Sequence, residues 1–235
     1  RIHIVVLLGI LSWGCQAPER APGSLLESEY PVYEGNDLGM TYSPEKSTFR
    51  MWSPQSDSVR IHLYASGHLD DEILTAAMKA DEYGTWTHTL EGDHEGEYYT
   101  YQIKYRGEWL EEKPDLYAVS TGVNGMRSMI LDLNETDPEG WDNDKRPALE
   151  HPTDIVLYEV HVRDFSIDPS SGIEHKGKFL GMVEEGTRTS SGYATGLDHL
   201  KYMGVTHVHL LPSFDHRSID ETKLDSAQYN WGYDP

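Results

Sequence analysis

A chain of 235 residues is long enough for one or two domains with cores of their own. With 40 acidic against 19 basic residues its formal charge is −21, which argues against a phosphate-backbone partner, whose neutralisation needs clustered Lys and Arg; a neutral polymer is compatible with it. Only one cysteine is present, Cys15, so no intramolecular disulfide can form.

Residues 4–11 are an apolar stretch behind Arg1 and His3, followed by the polar run Gln16-Ala17-Pro18-Glu19-Arg20. This is the layout of an export signal, much shorter than the roughly 20 residues that span a bilayer. Gly14-Cys15 resembles the lipobox of bacterial lipoproteins, which implies a signal over residues 1–15, lipidation of Cys15 and residence at the cell envelope or surface. Trp13 and the position of Leu11 depart from that pattern, and a signal without lipidation is the alternative. The chain does not begin with Met, and residues upstream are expected. Residues 16–34, rich in Pro, Glu, Ser and Gly without apolar periodicity, read as a tether.

Over residues 35–134, short alternating runs broken by turn residues predict an immunoglobulin-like all-β sandwich. Phe49 and Met51 are expected on one face with Arg50 and Trp52 on the other. Val59, Ile61 and Leu63 form an inward set, with Arg60, His62 and Tyr64 outward. Tyr99, Tyr101, Ile103 and Tyr105 give a third face, and Met129-Ile130-Leu131 a last short strand. Residues 135–153, with Pro138, Gly140, Pro147 and Pro152, read as a linker.

From 154 to 235 the texture changes to α/β. Residues 154–162 carry too many apolar side chains for a half-exposed strand and predict a buried parallel one. Leu197, Leu200 and Met203 stand at helical spacing before Gly204, a suitable C-cap, and residues 205–211 predict a second buried strand. Strand, helix, strand is the repeat of an α/β fold; a complete (β/α)8 barrel takes about 250 residues, so if the fold is of that kind only its opening fits here. The expectation is an N-terminal fragment of a larger protein.

Several polar groups invite a chemical role. Asp164 and Asp215 follow the two strands, where barrels place chemistry, but both are read as hydrogen-bond acceptors that anchor loops, with a catalytic role as the alternative. Glu159 and His161 share a strand face and are expected to need hydrogen-bond partners there. His207 and His209 form an H-x-H pair at a spacing that can chelate a metal, although such a pair usually sits on a first strand and this one does not. No metal or redox cofactor is expected, with calcium left open. Trp52, Trp86 and Trp109 can stack on a sugar or pack a core. The strongest combination is the last seven residues, Tyr229-Asn230-Trp231-Gly232-Tyr233-Asp234-Pro235, which offer aromatic faces for sugar C–H surfaces beside planar polar groups for hydroxyls.

That motif, with Tyr158-Glu159-Val160-His161-Val162-Arg163-Asp164-Phe165-Ser166, Asp115-Leu116-Tyr117-Ala118 and Val123-Asn124-Gly125, resembles the type I pullulanases, debranching members of the alpha-amylase clan. The likeness runs from about Leu38 to the end, with Leu116 standing where the family commonly has Pro. It implies retaining hydrolysis of α-1,6 branch linkages in pullulan, amylopectin or glycogen by an Asp nucleophile and a Glu acid/base lying beyond Pro235, so this chain alone is expected to be inactive. It also implies that Tyr233 and Asp234 shape the subsite of the cleaved sugar, that Tyr229, Asn230 and Trp231 mark pullulanases, and that the sandwich is a glycogen-binding type of module. A surface glucan-binding lipoprotein without catalysis, or a branching or isoamylase-type relative, are the alternatives.

Overall fold

The structure is a computed structural model that describes residues 30–211, 218–226 and 228–230. Cys15 and the rest of the signal, Asp215, and Trp231, Tyr233 and Asp234 lie outside the described residues. No described helix is long and apolar enough to cross a membrane.

The first unit is the expected sandwich. Its strands are β1 (Gly39–Ser43), β2 (Lys46–Trp52), β3 (Ser58–Tyr64), β4 (Glu72–Ala77), β5 (Lys79–Ala80), β6 (Thr85–Glu91), β7 (Tyr98–Tyr105), β8 (Glu108–Trp109) and β9 (Ser128–Met129). One sheet has the order β1-β2-β6-β5; the other runs β4-β3-β7-β8, with β9 added to β7. All pairings in both sheets are antiparallel. Side chains alternate faces along each strand, so Phe49, Val59, Ile61, Leu63, Leu90, Tyr99 and Tyr101 converge between the sheets, joined by Ile130 just past β9. Phe49 meets Tyr99 edge-on at 4.8 Å between ring centres. Beneath this core, Asp115 accepts from both phenols, Tyr99 at 2.9 Å and Tyr101 at 3.2 Å, and from the Tyr117 amide at 2.9 Å.

Alternation along β3 holds only for its inward set. His62 and Tyr64, expected outward, are buried. A polar layer closes over that outer face: His62 contacts Thr75 at 3.0 Å and Gln102 at 3.2 Å, Tyr64 donates to Glu112 at 2.5 Å, and the Arg127 guanidinium lies 3.4 Å above the Tyr64 ring. Burial on both faces is possible because each polar atom brought in finds a partner. The sandwich also reaches further back than expected. Tyr30 meets the Trp52 ring edge-on at 5.9 Å, and Tyr33 donates to Asp37, so part of the predicted tether is packed on the sandwich.

Residues 135–153 are exposed, with short 3₁₀ turns. The second unit then opens with β10 (Leu157–Val160) and α1 (Val162–Ser166), and after a long loop continues with α2 (Gly196–Met203) and β11 (His207–Leu210). β10 and β11 pair in parallel, Tyr158 opposite Val208. Gly204 adopts φ 76 and its amide caps α2 on the carbonyls of Leu200 and Lys201, as the sequence predicts. The predicted burial of the two strands is not observed: Leu157, Tyr158 and Val208 are exposed and only Val160 is buried in β10. Parallel strands become buried when helices cover both faces and strands flank both edges, and among the described residues each of the two strands pairs only with the other.

Candidate functional site

Because β10 and β11 are parallel, their C-terminal ends lie side by side, where ligands bind in open α/β sheets. A cavity of about 570 Å³ opens there. His161 and Leu211, each one residue past its strand, form the floor; Lys178, Phe179 and Leu180 come from the loop before α2, and Ile219, Glu221 and Asn230 from the end of the chain. His161 leaves the strand to cap α1: its Nδ1 accepts from the Arg163 amide at 3.1 Å. The proton of the neutral ring therefore sits on Nε2, which faces Asn230 Oδ1 at 3.3 Å and donates to it. This joins one residue of the terminal motif to the end of the first strand. Tyr229, its neighbour, is exposed.

A second wall is fixed by a carboxylate. Glu184 accepts from the amides of His175 and Glu174, both at 2.8 Å, and from the His175 ring at 2.7 Å. These bonds, the His175 amide foremost, hold its carboxyl below the ordinary range. The result is a fixed loop that presents Phe179 and Leu180, both exposed, and Lys178 to the cavity. Sequence reasoning missed this loop; its one signal is an apolar pair, Phe179-Leu180, set between Gly177 and Gly181.

Other candidates are placed elsewhere. Asp164 pairs with its neighbour Arg163 at 2.6 Å and does not line the cavity. Glu159 is not buried as expected; it is half-exposed and faces His209 at 3.3 Å across the strand pair. His207 bonds Thr206 at 2.9 Å, so the two imidazoles of the H-x-H pair serve different partners, and no described cluster of three metal-ligating side chains exists.

The three tryptophans of the sandwich occupy three different surfaces. Trp86 stands opposite Met51 and packs against the core, its indole N–H donating to the Ser53 carbonyl at 3.0 Å. Trp52, next to Met51 on the same strand, faces outward from the first sheet, with its N–H shared between the carbonyls of Pro31 and Tyr83, both at 3.1 Å. Trp109 lies over the outer face of the second sheet, 4.3 Å from the Arg60 guanidinium and 5.9 Å from the Lys104 ammonium. The three cannot form one platform. Trp109 is the partly exposed ring flanked by two cations, and Trp52 borders a cavity of about 310 Å³ shared with Tyr117 and Ile103.

Residues 37–118 match carbohydrate-binding module 48, the isoamylase N-terminal domain. Over 203 residues the chain is 38% identical to a pullulanase of Bacillus subtilis (strain 168), covering 86% of this chain and 27% of that protein. Among solved structures, a pullulanase of Paenibacillus barengoltzii in complex with maltohexaose and alpha-cyclodextrin is 50% identical with a TM-score of 0.84, over 88% of this chain and 32% of that one. The pullulanase of Bacillus acidopullulyticus is 42% identical with a TM-score of 0.80, over 88% and 25%. The chain thus spans about a quarter of the length of the first curated relatives it matches. Sandwich, linker and strand–helix–strand opening align together with these proteins, and over the part of them that this sequence spans the chain is similar to pullulanases, with residues 37–118 matching carbohydrate-binding module 48.

Proposed function

We propose that this chain serves a pullulanase, a glycoside hydrolase cutting α-1,6 linkages in pullulan and related α-glucans, with the sandwich as its glucan-facing module and the cavity at the ends of β10 and β11 as part of its substrate cleft. The observation that carries this reading is the joint alignment of both units, over 88% of the chain, with a pullulanase whose structure holds maltotriose. A neutral glucan suits a protein of charge −21, and sugar rings suit a cavity offering Phe179 beside the hydrogen-bonding groups of Asn230 and Lys178.

Retaining hydrolysis needs two carboxyl groups about 5 Å apart across the scissile bond. Glu221 is the single carboxylate among the described lining residues. The resemblance to pullulanases puts the nucleophile and acid/base outside this sequence, and the chain alone is expected to bind glucan without cleaving it. Export and lipidation at Cys15 belong to the same proposal and place the enzyme at the cell envelope.

Affinity electrophoresis of the chain in amylopectin gels, with a reducing-sugar assay on pullulan, tests the reading. Retardation by amylopectin without release of reducing ends is expected. Free migration overturns glucan binding, and turnover of pullulan overturns the assignment of the catalytic pair. Trp109→Ala, which removes a partly exposed ring, is expected to weaken the retardation if the outer face of the second sheet contributes.

A further inference from the structure

Among the described residues, Asn124 carries hydrogen bonds from the module to the second unit. Asn124 sits at the centre of a 3₁₀ turn, Val123–Gly125, with φ 50 and ψ 32, a left-handed conformation that Asn tolerates better than most residues. Three of the four hydrogen-bonding groups of Asn124 bond to the second unit. Its amide donates to Glu221 Oε2 at 2.7 Å, its side-chain NH2 to the Ile219 carbonyl at 2.6 Å, and its side-chain oxygen accepts from the Glu221 amide at 3.0 Å. Ile219 and Glu221 also line the cavity that Phe179 lines.

The turn is anchored on the sandwich side. Gly122 lies against Gly67 so closely that a Cβ on Gly122 would stand 2.6 Å from the Gly67 Cα. The Gly122 amide donates to the Arg127 carbonyl at 2.8 Å, and Arg127 itself reaches the Ser66 carbonyl at 2.6 Å. Behind Asn124, then, stands backbone fixed to two loops of the sandwich. On the far side, Asp220 caps the turn Glu221–Lys223 through the Thr222 amide at 3.1 Å, so Glu221 enters the contact from an ordered segment.

We infer that Asn124 is a positioning residue through which the sandwich holds the Ile219 and Glu221 wall of the cavity, so that glucan affinity in the cavity depends on a side chain of the module that touches no sugar. The inference rests on the reading of the cavity as a glucan cleft. It gives the module a task separate from binding sugar on its own surface, and it makes Glu221 an acceptor already engaged by the module.

The test uses the whole chain and Asn124→Gly, which keeps the left-handed turn accessible while deleting the side chain. Two quantities are read: hydrogen exchange of the Glu221 amide, which Asn124 holds directly, and maltotriose affinity by titration calorimetry. The variant is expected to speed Glu221 exchange at least tenfold and to weaken maltotriose several-fold, with exchange of the Ile61 and Tyr99 amides unchanged. A purely structural role would leave maltotriose affinity where it was once the fold is intact. Wild-type protein that binds maltotriose, with a variant binding equally well, overturns the inference and leaves the glucan reading standing. Unaltered Glu221 exchange also overturns it. Should the wild type fail to bind maltotriose, the glucan reading falls, and the contact itself then stands or falls on Glu221 exchange. Glu221→Gln, which keeps an acceptor oxygen and the Glu221 backbone amide, is expected to retain most of the protection that Asn124→Gly loses.

Discussion

Replacing Asp115 with Ala strands three donors at once. The phenols of Tyr99 and Tyr101 are almost wholly buried, and with the Tyr117 amide they all point at this carboxylate. A buried donor without a partner costs about 1–3 kcal/mol, so two phenols and a partly buried amide together cost about 3–6 kcal/mol. A domain of this size is stable by about 5–15 kcal/mol in all, and the substitution therefore removes a large part of it. Asp115→Asn is milder, about 1–2 kcal/mol. Its oxygen can serve both tyrosines, which share Oδ2, but its NH2 then faces the Tyr117 amide, donor against donor. Urea unfolding followed by intrinsic fluorescence measures each loss. The decisive comparison is Tyr101→Phe in two backgrounds. In the wild type it deletes a hydrogen bond and destabilises by about 1 kcal/mol; in the Asp115→Ala background it deletes an orphaned hydroxyl and is neutral or stabilising. Equal costs in both backgrounds, or an Asp115→Ala loss under about 1 kcal/mol, would refute the account of this cluster.

Arg127→Ala removes the cation 3.4 Å above Tyr64 together with bonds to Ser66 and Asp71, and should cost about 2–3 kcal/mol, with Arg127→Lys recovering about half in the same unfolding assay. Gly172→Ala should destabilise the second unit and raise proteolytic nicking near Arg188, since its Cβ would stand 2.2 Å from the Arg188 carbonyl oxygen at φ 69. Asp220 is held down, first by its bond to Lys223, from the ordinary 3.8 to about 2. A carboxyl lower in the folded than in the unfolded chain stabilises fully above its unfolded value and loses that contribution as the pH falls through the folded one. Protection of the Thr222 amide should therefore fall between about pH 4 and pH 2, and Asp220→Asn should flatten that fall.

Periodicity made the interior of the sandwich legible. Phe49, Val59, Ile61 and Leu63 sit where a period of two places them, because one face of each strand has to leave water. The same rule misplaced His62 and Tyr64, since their burial depends on Glu112 and Arg127, which belong to distant segments and carry no periodic signal. In β10 and β11, apolar composition predicts burial, although burial belongs to the neighbours a strand acquires and not to its own residues. The tryptophans show another limit: alternation along the strand already sets Trp52 outward beside Arg50, but only the pairing of Met51 with Trp86 tells that Trp86 turns inward. The cavity was half legible. Asn230 came from the terminal motif, while the contact of Asn124 with Glu221, 97 residues apart, joins two polar groups with nothing in the sequence to pair them.

The tyrosines of the sandwich have a spectroscopic consequence. Burial foremost, then the Asp115 charge, pushes the Tyr99 and Tyr101 hydroxyls well above 10, and burial with Glu112 does the same for Tyr64. The folded chain thus keeps protons that the unfolded chain sheds above pH 10, so stability declines as alkalinity rises past that value. Phenolate absorbance should accordingly rise in two stages, a gradual one from surface tyrosines and an abrupt one coincident with loss of the fold. The second stage turns the interior of the sandwich into its own reporter, needing no dye and no added label.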